Sequence, residues 1–206
     1  MNLGRLPVAL ALLAALMAMG CRPEAGGPEI FEAWEEGRTL IFENPAIPHQ
    51  DRNLAGRLQK QVLRSAENGG VRRVDTAYTT TQGQQTLQLV LKAGGAALLD
   101  GQGRPLTLLP EGFPDRVSSW QTMAYRMRVL GRARWNHERP QFPATRPPEG
   151  VWVEGEPLLG GPRVRVFYLP DFGEIEKREW RDGQWVTTNL LVGHSFQDVP
   201  RDKPAK

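Results

Sequence analysis

The chain has 206 residues, of which 40% are hydrophobic, and its 26 basic and 23 acidic side chains give a formal net charge of +3. This length suffices for one domain with a proper core, and the near balance of charge argues against wholesale nucleic-acid binding. A single cysteine excludes an internal disulfide, so hydrophobic burial must stabilise the fold.

Residues 1–20 have the pattern of an export signal, because Arg5 precedes an apolar run too short to span a membrane. The stretch from Ala18 to Cys21 resembles the lipobox of bacterial lipoproteins: Gly20 and Cys21 match, whereas Ala18 and Met19 depart from the preferred residues. The resemblance implies cleavage before Cys21, acylation of Cys21 and anchoring to a membrane of the cell envelope, outside the cytoplasm. The alternative is an ordinary secreted protein with one free thiol.

Two segments follow the predicted signal. Residues 21–29 are rich in Pro and Gly, which indicates a flexible tether behind the lipidated cysteine, and residues 30–206 are predicted to form a single domain.

The clearest helix is predicted at 51–67, capped by Asp51 and ended by Asn68, Gly69 and Gly70. Its apolar residues recur every fourth position: Leu54, Leu58, Val62 and Ala66.

From residue 71 the apolar period changes to two, which predicts strands. Leu87, Leu89 and Leu91 share one face, and Asp100-Gly101 predicts a hairpin turn between strands at 96–99 and 105–109. Four further strands are predicted at 151–155, 163–169, 174–181 and 184–192. The turns between them contain Gly, Pro and Asp-Gly, so an antiparallel meander is expected.

The segment 115–135 fits both a helix and a strand. We expect a short helix or turn at 115–120 and a strand at 123–135. Four prolines in residues 136–150 deny backbone donors to a sheet, so a surface loop is expected there. This loop could divide the chain into two domains, but the residues after it are few for an independent core.

No catalytic or metal-binding motif is evident. His49, His137 and His194 lack the spacing of a recognised metal site, and the chain has no G-x-S-x-G elbow, phosphate-binding loop or dinucleotide fingerprint. Ser195 gains nothing from its neighbour His194, because adjacent side chains on a strand point to opposite faces. We therefore expect a protein that is not an enzyme and has no metal or cofactor.

Arginines alternate along the segment 123–135. In a strand, Arg126, Arg128, Arg132 and Arg134 fall on one face, and Arg163 and Arg165 repeat the pattern beyond the Pro-rich segment. Such a stripe could bind a phosphate, a lipid headgroup or an acidic polymer. The alternative is an exposed sheet face that its charge keeps soluble.

The C-terminal segments 167–180 (FYLPDFGEIEKREW) and 184–192 resemble the closing hairpin of envelope lipoproteins whose curved antiparallel sheet wraps around a helix, the half-barrels that carry or sense lipids. The kink reads Asp171-Phe172-Gly173 and lacks the first glycine of the usual pair. We therefore expect an α+β fold in which the helix at 51–67 packs on a mostly antiparallel, curved sheet.

These observations predict a membrane-anchored envelope lipoprotein with a non-catalytic role. It would bind a hydrophobic or anionic envelope ligand, such as a lipid, or an envelope protein partner. The alternatives are a structural or assembly subunit of an envelope complex and a hydrolase without a recognised motif.

Overall fold

A computed structural model of the chain describes residues 29–48, 56–135 and 148–196. These residues form twelve strands. In chain order the strands are β1 (Arg38–Glu43), β2 (Arg57–Asn68), β3 (Val71–Thr80), β4 (Gly83–Lys92), β5 (Gly95–Leu99), β6 (Pro105–Leu109), β7 (Ser119–Gln121), β8 (Tyr125–Arg134), β9 (Glu149–Pro157), β10 (Val164–Leu169), β11 (Gly173–Arg181) and β12 (Gln184–Phe196).

All twelve strands belong to one sheet, with the order β6-β5-β4-β3-β2-β1-β12-β11-β10-β9-β8-β7. Every neighbouring pair is antiparallel. The sheet curls until its two edge strands approach each other, and the indole Nε1 of Trp120 in β7 donates a hydrogen bond of 3.0 Å to the carbonyl oxygen of Leu108 in β6. The result is a nearly closed cylinder with an inner and an outer face.

The core lies inside this curled sheet. Along each strand, alternate side chains point inward, and the inward set is mainly apolar. Large side chains in the core that are almost fully buried include Leu40, Val62, Val74, Leu89, Val153 and Leu191.

The segment before β1 also contributes to the core. Phe31 and Ala33 are fully buried, and the ring of Phe31 packs edge to face on Phe113 with centroids 5.1 Å apart. The backbone of this segment is tied to the sheet because the amide of Asp171 donates to the carbonyl of Ile30 at 2.7 Å. The chain therefore enters the interior before it forms its first strand.

The predicted helix at 51–67 is wrong, and with it the α+β class. Residues 57–68 form β2 instead, whereas Asp51 and Leu54 lie outside the described residues. A spacing of four also satisfies a strand, because residues i and i+4 share a strand face. Leu58 and Val62 do share the inner face, and Lys60 between them interrupts the apolar alternation that would have indicated a strand.

The antiparallel, curved sheet of the prediction is confirmed. The predicted strand at 123–135 is present as β8. Of the short helix or turn expected at 115–120, residues 115 and 116 belong to a turn, no helix forms, and residues 119 and 120 begin the short strand β7. Within the described residues, no helix is long and apolar enough to cross a membrane. Most of the predicted loop, residues 136–147, lies outside the described residues, and β8 and β9 on either side of it pair directly.

Candidate functional site

A cavity of about 330 Å³ lies inside the curled sheet. Its lining comes from strands across the whole sheet order, including β1, β2, β3, β6, β8, β10, β11 and β12. The apolar part of the lining consists of Phe42, Leu58, Leu108, Leu109, Tyr125, Met127, Val164 and Val166. The polar part of the lining consists of Glu32, Lys60, Tyr78, Thr122, Tyr168, Glu174, Lys177 and Asn189.

A buried ion pair belongs to the polar part of the lining. The ammonium group of Lys60 donates a hydrogen bond to Oε1 of Glu32, and the two residues are only 6% and 8% exposed. Burial alone would lower the pKa of Lys60, but the charge of Glu32 and the hydrogen bonds with Glu32 and Tyr78 outweigh it and raise the pKa. Lys60 is therefore a fixed positive charge beside the cavity.

Two tyrosines contribute hydroxyl groups to the same cavity. Burial, followed by the negative charges of Glu174 and Glu32, raises the pKa of Tyr168, and burial raises the pKa of Tyr78 as well. Both phenols are therefore neutral at physiological pH and can donate hydrogen bonds to a ligand.

A second, polar depression of about 670 Å³ adjoins the cavity. The two share Leu58, Glu174, Lys177 and Asn189 in their linings. The amide of Asn189 donates to Glu174 at 3.0 Å, which holds both side chains at the junction. The depression also contains Arg57, Glu179 and Arg181, so a charged vestibule leads to a mainly apolar interior.

This geometry suits an amphiphile. An apolar chain would contact Phe42, Met127 and Val166, while a polar head would remain among the charged groups of the vestibule. Ligand sites typically have volumes of roughly 300–1,000 Å³, apolar walls and a few polar groups that set orientation. Among the described residues, no group of three His, Cys, Asp or Glu side chains is arranged to hold a metal ion.

The structure places the four predicted arginines on one exposed face of β8, away from the cavity. The four arginines differ in their ion pairs. Arg128 pairs with Glu154 at 2.9 Å, and Arg132 pairs with Glu29 at 2.8 Å and with Asp115 at 3.1 Å. Arg126 and Arg134 have no ion-pair partner within the described part of the chain.

A third concavity, of about 380 Å³, lies on this outer face. It is lined by Arg132 and Arg134 of the predicted stripe, but not by Arg126 or Arg128, and it adds Arg165 and Arg178 from β10 and β11. Anion binding by these arginines stays a prediction.

Of the three histidines and the single cysteine, only His194 lies within the described residues. His194 is half-buried on β12, with its ring 5.4 Å from that of Phe172, and burial, followed by the charge of Arg38, lowers its pKa. His49, His137 and the predicted lipidation site Cys21 lie outside the described residues.

Sequence reasoning missed the polar residues of the cavity, namely Glu32, Lys60, Tyr78 and Asn189. A signal existed for Lys60, because it occupies the inward position of an alternating strand between Leu58 and Val62. Glu32 carried no comparable signal, since its burial depends on a segment without periodicity.

No protein-family model and no curated protein sequence matches this chain. Two solved structures are similar to it. A protein from Bacteroides fragilis described as exported, with a YmcC-like fold, aligns with a TM-score of 0.53 and 12% identity over 81% of this chain and 99% of its own. A protein from Parabacteroides distasonis described as a lipoprotein aligns with a TM-score of 0.48 and 11% identity over 82% of this chain and 99% of its own. At this identity the first likeness shows a shared fold, and the chain therefore has a YmcC-like fold.

Proposed function

We propose that this protein is an exported, lipid-anchored protein of the cell envelope that binds an amphiphilic ligand without catalysis. The observation that carries the proposal is the cavity of about 330 Å³ inside the curled sheet. The ligand's apolar chain would occupy this cavity, and its polar head would lie in the adjoining vestibule.

The distribution of polarity supports an amphiphile over a purely apolar ligand. The walls of the cavity include Met127, Val164 and Val166, whereas Lys177, Glu174 and Asn189 line both the cavity and the vestibule. Burying an apolar chain contributes about 0.8 kcal/mol per methylene. A charged head loses less hydration at the junction with the charged vestibule than inside the cavity, where Lys60 is already paired with Glu32, so it would stay at the junction.

The envelope location rests on the sequence. The signal pattern of residues 1–20 and the lipobox-like residues before Cys21 support export and acylation. The similar Bacteroides fragilis protein is described as exported, which agrees with this location. An anchored protein with a largely apolar cavity that opens to a charged vestibule is suited to hold or pass on a membrane-derived molecule.

The proposal is tested by purifying the full chain from native membranes and identifying bound small molecules by mass spectrometry. We expect a near-stoichiometric amphiphile in the wild-type protein. Leu58→Trp should remove it, because Leu58 lines both the cavity and the vestibule, and the larger indole would block the junction.

The matched control is Leu159→Trp, the same change at a side chain that is 94% exposed. It should leave the bound amphiphile in place. An empty wild-type protein, or equal loss in both variants, would contradict ligand binding in the cavity.

Binding of an envelope protein partner is the second candidate. It is favoured by two strongly exposed apolar side chains, Met123 and Leu159, at 74% and 94% exposure. They lie on adjoining loops, because the amide of Leu158 donates to the carbonyl of Ala124 at 2.9 Å. Photo-crosslinking from position 159 in intact cells should capture one defined protein if this candidate holds, and none if it does not.

A further inference from the structure

The outer face of the sheet carries arginines on neighbouring strands, and two of them lie directly opposite each other. Arg165 of β10 lies directly opposite Arg178 of β11 in the strand register. Like charges directly opposite each other on one sheet face are destabilising. Both guanidinium groups line the same concavity of about 380 Å³.

Two buried carboxylates hold these guanidinium groups in place. Glu176 is fully buried and accepts hydrogen bonds from Nε of Arg178 at 2.6 Å and from the indole of Trp135 at 2.9 Å. Glu154 accepts from Nε of Arg165 at 2.8 Å, and Arg165 and Arg128 together lower the pKa of Glu154 against the opposing effect of burial. Both carboxylates lie behind the concavity and not in its lining.

The terminal nitrogens of these two arginines remain available. Arg165 and Arg178 each use only Nε in their hydrogen bonds within the described residues. Indole rings restrict their planes: the guanidinium of Arg178 lies 4.8 Å from the Trp152 ring centre, and that of Arg165 lies 4.4 Å from the Trp185 ring centre. A guanidinium fixed at Nε presents its two Nη groups as a preformed fork for an oxyanion.

Arg134 completes the set. It lines the same concavity, and it makes no ion pair with any described residue, although Glu149 is its register partner on β9. Arg132 contributes a fourth guanidinium, which is already shared with Glu29 and Asp115. No carboxylate lines the concavity in the described part of the chain, so the lining is strongly positive.

We propose that this concavity is a phosphate-binding site, formed by Arg134, Arg165 and Arg178 and bordered by Trp152. Three arginines in one lining provide more donors and charge than a single carboxylate requires, and phosphate oxygens accept paired hydrogen bonds from arginine. The site is on the outer face, so it is separate from the internal cavity and goes beyond the proposed function. The phosphate belongs either to a soluble monoester or to the diester headgroup of a phospholipid.

The test is isothermal titration calorimetry of the purified full chain in an uncharged detergent. Inorganic phosphate represents the soluble source, and glycerophosphoglycerol, the deacylated headgroup of phosphatidylglycerol, represents the lipid source. We compare wild type with Arg134→Gln and with Arg126→Gln. Arg126 is the matched control because it is an exposed arginine on the same strand that does not line the concavity.

We expect one of the two probes to bind the wild type. Arg134→Gln should weaken that binding by about ten-fold or more, since it removes charge-assisted hydrogen bonds to the oxyanion, and Arg126→Gln should change it by less than about two-fold. Arg134→Lys keeps the charge without the fork and should fall between wild type and Arg134→Gln.

Tighter binding of the diester than of inorganic phosphate would assign the site to a lipid headgroup, and the reverse would assign it to a soluble phosphate. Failure of both probes to bind would overturn the proposal. Equal weakening by Arg126→Gln and Arg134→Gln would overturn it too, because it would show attraction to a diffuse surface charge and not a site.

Discussion

Breaking the buried pair at the cavity by Glu32→Gln should be strongly destabilising. Lys60 is 6% exposed, so the change leaves an ammonium group that is buried and without its carboxylate. Removing one partner of a buried pair costs about 3–5 kcal/mol, largely as the penalty of the uncompensated charge. We therefore expect the free energy of unfolding to fall by this amount.

The double variant Glu32→Gln/Lys60→Met should recover most of that loss, since replacing both charges by groups of similar volume is often neutral. Urea unfolding followed by tryptophan fluorescence provides the free energies, and the six tryptophans give ample signal. The matched control is Glu111→Gln, which breaks an ion pair of 2.9 Å whose side chains are 55% and 59% exposed. Exposed pairs contribute about 0–1 kcal/mol.

The reasoning is refuted if Glu32→Gln costs no more than Glu111→Gln. That outcome would mean that water reaches Lys60 and that the part of the cavity around Lys60 is hydrated. A double variant as unstable as Glu32→Gln would show that packing, and not the uncompensated charge, causes the loss.

Three further predictions concern the anchor, the packing and the pH dependence. Cys21→Ala should release the protein from membranes in a fractionation assay, because buried acyl chains contribute about 0.8 kcal/mol per methylene; retention after a salt wash would contradict acyl anchoring. Gly150→Ala should lower the melting temperature, since its Cβ would lie 2.3 Å from the carbonyl oxygen of Tyr168, whereas Gly101→Ala meets nothing within 4 Å and should be tolerated. Because the pKa of His194 is lowered in the folded state from its usual 6.5, its contribution to stability is complete above pH 6.5 and is lost as the pH falls towards the lowered value. His194→Gln should therefore reduce the acid sensitivity of unfolding below pH 6.5, and an unchanged pH profile would contradict this role.

Turns were predictable because their causes are local. The carboxylate of Asp100 accepts hydrogen bonds from the backbone amides of Gln102 and Arg104, as aspartate side chains do in turns. Asp182 and Gly183 both have positive φ between β11 and β12, the conformation that an Asp-Gly hairpin turn requires.

The helix prediction failed where a buried lysine interrupts the pattern. β2 carries Leu58, Lys60 and Val62 on its inner face. The lysine in the middle of that face breaks the alternation of apolar and polar residues that would have indicated a strand. The compensating charge comes from Glu32, which lies 28 residues earlier. A pattern within one strand contains no information about a partner at that distance.

The internal cavity and the arginine-lined concavity were likewise not predictable from local sequence patterns. The alternation of arginines in β8 indicated that they share one exposed face, but the concavity depends on Arg165 and Arg178, which meet only through the register of β10 and β11. The cavity depends on how far twelve strands curl, and no local pattern encodes this. Sequence reasoning could therefore identify strands and exposed charges, but not the volumes that they enclose.

The central claim, that the interior of the sheet holds an apolar chain, can be tested at a single methyl group. Of the five methionines, only Met123 and Met127 lie outside residues 1–20. Met127 lines the cavity and is 5% exposed, whereas Met123 is 74% exposed. In protein labelled with ¹³C at the methionine methyl groups, a fatty acid carrying a nitroxide on its chain should broaden the Met127 signal and leave that of Met123 sharp. An unaffected Met127 signal, or equal broadening of both signals, would contradict the account.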